Sequence, residues 1–264
     1  MNLANIESYA KELMKHSGHS FDHVKRVYDL CFKVSKSMKE LNIETLLVSA
    51  LMHDIARSNE FETGECHAKT GAKWAKEYLE SINYETNKIE KIVYCIKSHR
   101  YSNGVIPQTL EAKVLQECDR VDAIGAIGTI RTTVHNYNKL PYDEKDPLAK
   151  NRIIDDNVYG LDHFYLKLLK LKDELLIPEI KKEAIKRHEF MLELLKTLEK
   201  EVVLGEKKDA ALLIDIIRKN HELPIYELGN PFNEKIDTII SKIMGYKNHD
   251  FVSKFLKQLK SEIL

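Results

Sequence analysis

The chain has 264 residues, a length that accommodates one large domain or a domain with an appendage. Its 41 Lys and Arg residues balance 41 Asp and Glu residues, which disfavours a protein whose main task is to grip a polyanion. Hydrophobic residues make up 43% and charged residues 31%, so disorder and low-complexity fibres are excluded. With only 10 glycines and 6 prolines, the composition favours helices joined by short connections.

The cysteines and the N-terminal sequence bear on the cellular setting. Cys31, Cys66, Cys95 and Cys118 form no C-x-x-C pair, so buried thiols are a simpler interpretation than a zinc ribbon or a redox motif. The N-terminal residues lack the basic-then-apolar pattern of a signal peptide, and no run approaches the ~18 apolar residues of a membrane span. We therefore predict a cytoplasmic protein without a membrane partner.

Apolar residues recur at helical spacing through the first hundred residues. Four such sets lie at about 24–34, 46–51, 72–79 and 89–96. Asn42 stands just before the second set, whereas the polar stretch SNEFETGE between the second and third sets is predicted to be a loop. This part of the chain is predicted to consist of helices.

The second half of the chain continues the helical pattern. A helix beginning at TLEAKV is expected to be interrupted around Gly125 and Gly128, and residues 138–160 are expected to be a long exposed connection. Two amphipathic helices, DHFYLKLLKLKDELL and a longer one started by Pro178, follow. A break is expected near Gly205. The prediction is an all-α chain with a domain at 1–204 and a helical extension of unknown role at 205–264.

Two histidines and two aspartates are placed for metal chemistry. His53 and Asp54 end an apolar helical run, His23 lies thirty residues earlier on another predicted helix, and Asp119 lies on a third. A helical bundle whose interior faces supply two imidazoles and two carboxylates makes a nitrogen and oxygen site. Such a site suits Mn²⁺, Fe²⁺, Co²⁺, Ni²⁺ or Zn²⁺ better than Ca²⁺.

In order and spacing, this H…HD…D pattern resembles the HD superfamily of metal-dependent phosphohydrolases. The strings GHSFDHVKRVY, ALMHDIAR, HAKTGAKWA, IVYCIKSHR and ECDRVDAIGAIGTIR are similar to small bacterial and archaeal members of the YedJ/YpgQ type. The resemblance covers about residues 16–203 and implies an HD-domain helical bundle with additional C-terminal helices. It also implies that His23, His53, Asp54 and Asp119 bind a divalent metal (Mn, Fe, Co, Ni, Zn or Mg), as one ion or two.

The same resemblance marks His67 and His99, which match further histidines that line HD sites. Their roles stay open between ligands of a second metal, donors to a substrate phosphate, a general acid, and structure alone. Asp54 is expected both to bind metal and to orient the attacking water. His67, His99, Asp54 and Arg57 form the predicted catalytic set.

HD hydrolases that act on guanosine tetraphosphate carry a Glu-Asp pair three residues after the aspartate of the HD motif, and this pair positions the attacking water. This sequence has Arg57 and Ser58 at those positions, which weakens an assignment to that group of hydrolases. Arg57 lies four residues past His53, on the same helical face, and offers a planar donor fork for phosphate. The other predicted substrate-binding residues are Lys97, Arg100, Asp122 and Arg131. For the three cationic ones, a solvated helix face is the competing interpretation; for Asp122 the alternatives are a surface carboxylate, orientation of a metal ligand, or contact with a sugar hydroxyl.

The sequence therefore predicts a metal-dependent phosphohydrolase acting on a phosphoester or phosphoanhydride of a nucleotide or a related small phosphorylated metabolite. One alternative is a regulatory or ligand-binding HD module that retains the metal without turnover. Another is a nuclease or phosphodiesterase, although the neutral net charge disfavours a nucleic-acid partner. A homodimer is left open.

Overall fold

The structure is a computed structural model that describes the backbone at residues 3–14 and 21–220, and side chains as far as residue 202. Its α-helices are α1 Leu3–Met14, α2 Phe21–Ser35, α3 Ile43–Met52, α4 Arg57–Thr63, α5 His67–Ser81, α6 Thr86–Ser98, α7 Leu110–Asp122, α8 Gly125–His135, α9 Asp162–Leu166 and α10 Pro178–Asn220. Short 3₁₀ segments occupy Tyr101–Asn103 and Leu168–Glu174. The described residues form no β-strand, which confirms the all-α prediction.

Helix α3 is the centre of the bundle. Asn42 begins it by accepting a hydrogen bond from the backbone N–H of Thr45 at 2.9 Å. From Thr45 to Met52 every residue is buried, and α1, α2, α6 and α7 pack around it. A helix that is apolar on all sides is stable only when surrounded in this way.

Two hydrophobic clusters meet at α3. One joins it to α2, α7 and the first turns of α10, and the other joins it to α1, α5 and α6. His53 and Asp54 follow directly after Met52, where α3 ends between the two clusters. The chain therefore places an imidazole and a carboxylate in the interior, where only paired or ligating polar groups are stable.

The chain turns sharply between α7 and α8. Gly125 adopts a φ of +81°, and a side chain there would press on the Arg187 side chain at 3.0 Å. A Cβ at Gly128 would overlap the backbone carbonyl of Ala123. The expected interruption is confirmed just before Gly125, where the left-handed backbone favours glycine, whereas Gly128 lies inside α8.

Three local predictions are wrong. The stretch SNEFETGE is not a loop, because Arg57–Thr63 forms α4 and Gly64 ends it in the left-handed region. The helix expected from Asp162 breaks at Lys167, and a 3₁₀ segment turns Leu168 and Leu171 into the core. Helix α10 is continuous through Gly205, because one glycine costs a helix only about 1 kcal/mol among strong helix formers.

The connection predicted at 138–160 consists of turns, with an isolated bridge between Leu140 and Tyr159. The guanidinium of Arg152 anchors it by donating two hydrogen bonds, at 2.6 and 2.7 Å, to the fully buried carboxylate of Asp162. Among the described residues, no helix is both long enough and apolar enough to cross a membrane. The chain divides into two compact units, Met1–Lys196 and Thr197–Leu264. The helical extension predicted at residues 205–264 lies largely outside the described residues.

Candidate metal centre

Six polar side chains from five helices or their ends converge in the interior of the first unit. We call them the His/Asp cluster: His23 on α2, His53 and Asp54 after α3, His67 at the start of α5, His99 after α6, and Asp119 on α7. The five residues other than Asp119 are each 5% exposed or less. All six residues were predicted as metal or catalytic positions, and the structure brings them together.

The four histidines share one orientation. In each, the Nδ1 atom contacts an oxygen acceptor outside the cluster and the Nε2 atom points inward. These contacts are His53 to the carbonyl of Ala50 at 2.8 Å, His99 to the carbonyl of Ile96 at 2.6 Å, His23 to Asp122 at 2.8 Å, and His67 to Glu60 at 2.7 Å. A proton held on Nδ1 leaves the Nε2 lone pair free, which is the form that ligates metal.

One half of the cluster surrounds the Nε2 atom of His23. That atom lies 3.1 Å from Oδ1 of Asp119, 3.3 Å from Nε2 of His53 and 3.7 Å from Oδ2 of Asp54. The Nε2 atom of His53 is 3.9 Å from the same two carboxylate oxygens. Two imidazole nitrogens and two carboxylate oxygens thus face one another at spacings that one divalent ion can span.

The other half lies on the opposite oxygen of Asp54. Oδ1 of this carboxylate is 3.2 Å from Nε2 of His67 and 3.6 Å from Nε2 of His99, and the two Nε2 atoms are 3.3 Å apart. Asp54 therefore lies between two pairs of histidines, with one carboxylate oxygen turned to each pair. Asp54 with His23 and His53 has the spacing to hold a metal ion, and so does Asp54 with His67 and His99.

Burial and charge shift the pKa values of the cluster in opposite directions. Burial lowers the pKa of His53 to about 4, which keeps this imidazole neutral at pH 7. Burial would raise the pKa of Asp54, but the nearby histidines, His53 first, hold it well below its usual value. Asp119 is similarly opposed by burial and lowered by its hydrogen bond to His23, to a pKa of about 2. The carboxylates are therefore anionic and suited to a cation.

The chemistry of these donors fits a divalent metal. Inward imidazole nitrogens with fixed outer hydrogen bonds, beside ionised carboxylates, are the donor set of borderline ions such as Mn²⁺, Fe²⁺, Co²⁺, Ni²⁺ and Zn²⁺. Burial lowers the pKa of His23, but its hydrogen bonds to Asp119 and Asp122 outweigh this effect and raise the pKa to about 9.

Arginines and one glutamate surround His67 at the second half of the cluster. Nη1 of Arg57 donates to Oε2 of Glu60 at 2.8 Å, and Arg100 donates to Oε1 of the same carboxylate. Arg57 and Arg100 were predicted to bind substrate, and both lie beside the cluster. Sequence reasoning missed Glu60. Its position three residues after Arg57, on the same face of α4, is the signal that would have found it had the helix been recognised.

Asp122 lies behind His23. Its carboxylate is 2% exposed and contacts Nδ1 of His23, while Arg26 donates two hydrogen bonds to it at 2.7 and 2.8 Å. Nη1 of Arg131 and Nη1 of Arg187 lie 3.3 and 3.7 Å away. Burial would raise the pKa of Asp122, but Arg26 and then His23 hold it far below its usual value. This environment favours orientation of His23 over contact with a sugar hydroxyl.

Lys97 and Arg131 have different surroundings from Arg57 and Arg100. The Lys97 side chain is exposed on α6, and none of the hydrogen bonds or ion pairs found among the described residues joins it to the cluster. Arg131 is directed to Asp122 and only partly exposed. The substrate-binding roles of both stay predictions.

The family model of the HD domain matches residues 20–124, a span that contains the whole His/Asp cluster. The chain is 28% identical over 193 residues to YpgQ of Bacillus subtilis, an uncharacterized protein. The matched region covers 70% of this chain and 85% of YpgQ. The crystal structure of YpgQ in complex with ADP shares the fold, with a TM-score of 0.57 at 24% identity, over 75% of this chain and 93% of that one.

Two further solved structures carry the superfamily in their names. An HD-superfamily hydrolase of Bacillus thuringiensis is 29% identical, with a TM-score of 0.61, over 76% of this chain and 96% of that one. A predicted HD superfamily hydrolase from an uncultured Thermotogales bacterium is 25% identical, with a TM-score of 0.55, over 76% and 92% of the two chains. The chain therefore carries an HD domain at residues 20–124, and it is similar to HD-superfamily hydrolases over about three quarters of its length.

Proposed function

We propose that this protein is a divalent-metal phosphohydrolase that cleaves a phosphoester or phosphoanhydride bond of a nucleotide or a related small phosphorylated metabolite. The observation that carries the proposal is the placement of Asp54 between two pairs of inward-facing histidine Nε2 atoms. One side of this carboxylate faces His23 and His53, and the other faces His67 and His99. An arrangement with two such halves is suited to a displacement at phosphorus.

In this proposal, His23, His53, Asp54 and Asp119 hold the first ion, and Asp54, His67 and His99 hold a second. A divalent ion bound there supplies a Lewis acid for a phosphoryl oxygen and lowers the pKa of water from about 15.7 toward 7. Asp54 reaches both halves, so it orients the attacking water as well as contributing charge.

Arg57 and Arg100 bind the phosphate oxygens in this proposal. Glu60 holds their guanidinium groups on the His67 side of the cluster, and both side chains remain partly exposed. Two guanidinium groups against one carboxylate leave a surplus of one positive charge, which a phosphate group offsets. Planar guanidinium donors match the geometry of phosphate oxygens and hold a phosphoryl group in place.

Support for a nucleotide substrate comes from YpgQ, whose crystal structure is a complex with ADP. The names of the two HD-superfamily hydrolases support hydrolysis in general terms. ADP therefore belongs in the first substrate panel, beside nucleoside mono- and triphosphates.

The test is product release from nucleoside mono-, di- and triphosphates with Mn²⁺, Co²⁺, Ni²⁺ or Mg²⁺, comparing the wild type with Asp54→Ala. Asp29→Ala is the matched control, because Asp29 is an exposed carboxylate on α2 that pairs with Lys25. We expect turnover by the wild type and the control and its loss in Asp54→Ala. Metal binding without release of any product would instead favour a binding or regulatory module.

A further inference from the structure

Three polar groups form a triangle at the outer side of His67. Oε2 of Glu60 lies 2.7 Å from Nδ1 of His67 and 2.8 Å from Nη1 of Arg57. Nη1 of Arg57 is itself 2.7 Å from Nδ1 of His67. The other oxygen of Glu60 accepts a hydrogen bond from Arg100. Two groups that can contact the same ring nitrogen therefore stand side by side.

The two contacts at Nδ1 require different tautomers. A neutral imidazole carries one proton, a guanidinium only donates, and an ionised carboxylate only accepts. If Nδ1 of His67 accepts from Arg57, the proton is on Nε2, which then donates toward Asp54 at 3.2 Å and cannot ligate a metal. If Nδ1 donates to Glu60, the Nε2 lone pair is free and faces Asp54 and His99.

We propose that Glu60 is a positioning residue that selects the metal-binding tautomer of His67. Its carboxylate accepts from Nδ1 of His67 and also from Nη1 of Arg57, so the arginine N–H donates to the carboxylate rather than to the ring nitrogen. The inference deepens the proposed function, because it rests on His67 as a ligand of the second ion.

His99, the other histidine on this side of Asp54, needs no such positioning residue. Nδ1 of His99 donates to the backbone carbonyl of Ile96, an acceptor that the helix itself fixes. His67 begins α5, so its ring cannot reach a carbonyl one turn earlier in its own helix. The carboxylate of Glu60 on α4 is the acceptor for Nδ1 of His67 instead. Carboxylates that hold a ligating histidine in this manner change metal affinity by roughly 10–100-fold when removed.

The test is calorimetric titration of the full-length, metal-free chain with Mn²⁺ at constant pH. The variants are Glu60→Ala, Arg57→Ala/Glu60→Ala and the control Glu62→Ala, an exposed glutamate on the same helix. We expect the wild type and the control to bind two ions. Glu60→Ala weakens the second ion by roughly 10–100-fold and leaves the first unchanged. The double variant regains the second ion, because no donor remains to hold Nδ1 of His67 as an acceptor.

Regain of affinity in the double variant separates tautomer selection from mere structural support, since a second truncation does not repair a damaged helix. Circular dichroism confirms that each variant is folded. Unchanged binding of the second ion in Glu60→Ala, or equal weakness in the single and double variants, would overturn the role of Glu60. A wild type that binds one ion would overturn it together with the second-ion assignment of His67, while leaving the His23 half intact.

Discussion

Replacing Asp122 with asparagine tests how the bundle holds His23. Asp122 is 2% exposed, contacts Nδ1 of His23 at 2.8 Å and takes two hydrogen bonds from Arg26. The amide keeps the volume of the side chain but loses its charge, and its NH₂ group faces donors. The substitution therefore isolates the electrostatic contribution of the carboxylate.

The size of the effect follows from burial. Breaking a buried ion pair by removing one partner costs about 3–5 kcal/mol. Arg26 is 31% exposed and regains water when its partner is neutralised, so we expect a loss of about 3 kcal/mol, at the lower end of that range. Loss of the carboxylate behind His23 should also weaken the first metal ion by roughly 10–100-fold.

Urea unfolding of the metal-free chain followed by circular dichroism measures the first effect, and Mn²⁺ titration measures the second. Asp29→Asn is the control, because this carboxylate is 61% exposed on α2, the helix that carries His23, and its replacement should change stability by less than about 0.5 kcal/mol. If Asp122→Asn keeps the wild-type midpoint and the wild-type Mn²⁺ affinity, Asp122 does not hold the ligand, and the reasoning is wrong.

Three further predictions concern pH, packing and the long connection. Hydrogen bonds to carboxylates outweigh burial and raise the pKa of His23 to about 9 in the metal-free chain, so a metal must displace a proton from this imidazole. The affinity for Mn²⁺ should therefore rise up to about tenfold per pH unit below pH 9 and level off above it. Gly128→Ala should destabilise the fold by about 1–3 kcal/mol, because the new Cβ overlaps the carbonyl of Ala123. Arg152→Ala should cost about 3–5 kcal/mol, because it leaves the buried carboxylate of Asp162 without its bidentate partner.

Each of these has a direct check. Mn²⁺ affinity that is flat from pH 6 to pH 8 would contradict the protonation of His23. For the packing prediction, Thr133→Ala on the exposed side of α8 is the control in thermal unfolding, and equal stability of the two variants would refute the close approach at Gly128. For the connection, Lys145→Ala is the exposed control, and a loss as small as that control would show that the Arg152 pair does not anchor the segment.

Periodicity and composition were sufficient for the helical class and for most of the bundle. The apolar run of α3 and the glycine at the start of α8, Gly125, carry strong local signals, and both are confirmed. Helix α4 was not predicted because it has seven residues and buries none of them, so no apolar spacing marks it in the sequence. The break at Lys167 comes from tertiary packing of the following turn, which no local pattern encodes.

The cluster itself could be assembled from its order along the chain, whereas the groups that support it could not. His23, His53, Asp54 and Asp119 match the HD motif in order, and that resemblance implies that they share one site. Arg26, by contrast, meets Asp122 across 96 positions of sequence. Such contacts depend on how helices pack, which is a property of the whole bundle. Glu60 was missed for a related reason, since its helix was not predicted.

The most direct test of the two-sided arrangement around Asp54 is anomalous X-ray scattering from crystals of the full-length chain grown with Mn²⁺. We predict one peak bounded by His23, His53, Asp54 and Asp119, and a second bounded by Asp54, His67 and His99. A single peak in the first position would restrict the chemistry to one ion. Manganese bound elsewhere, with Asp54 contacting none, would contradict the account.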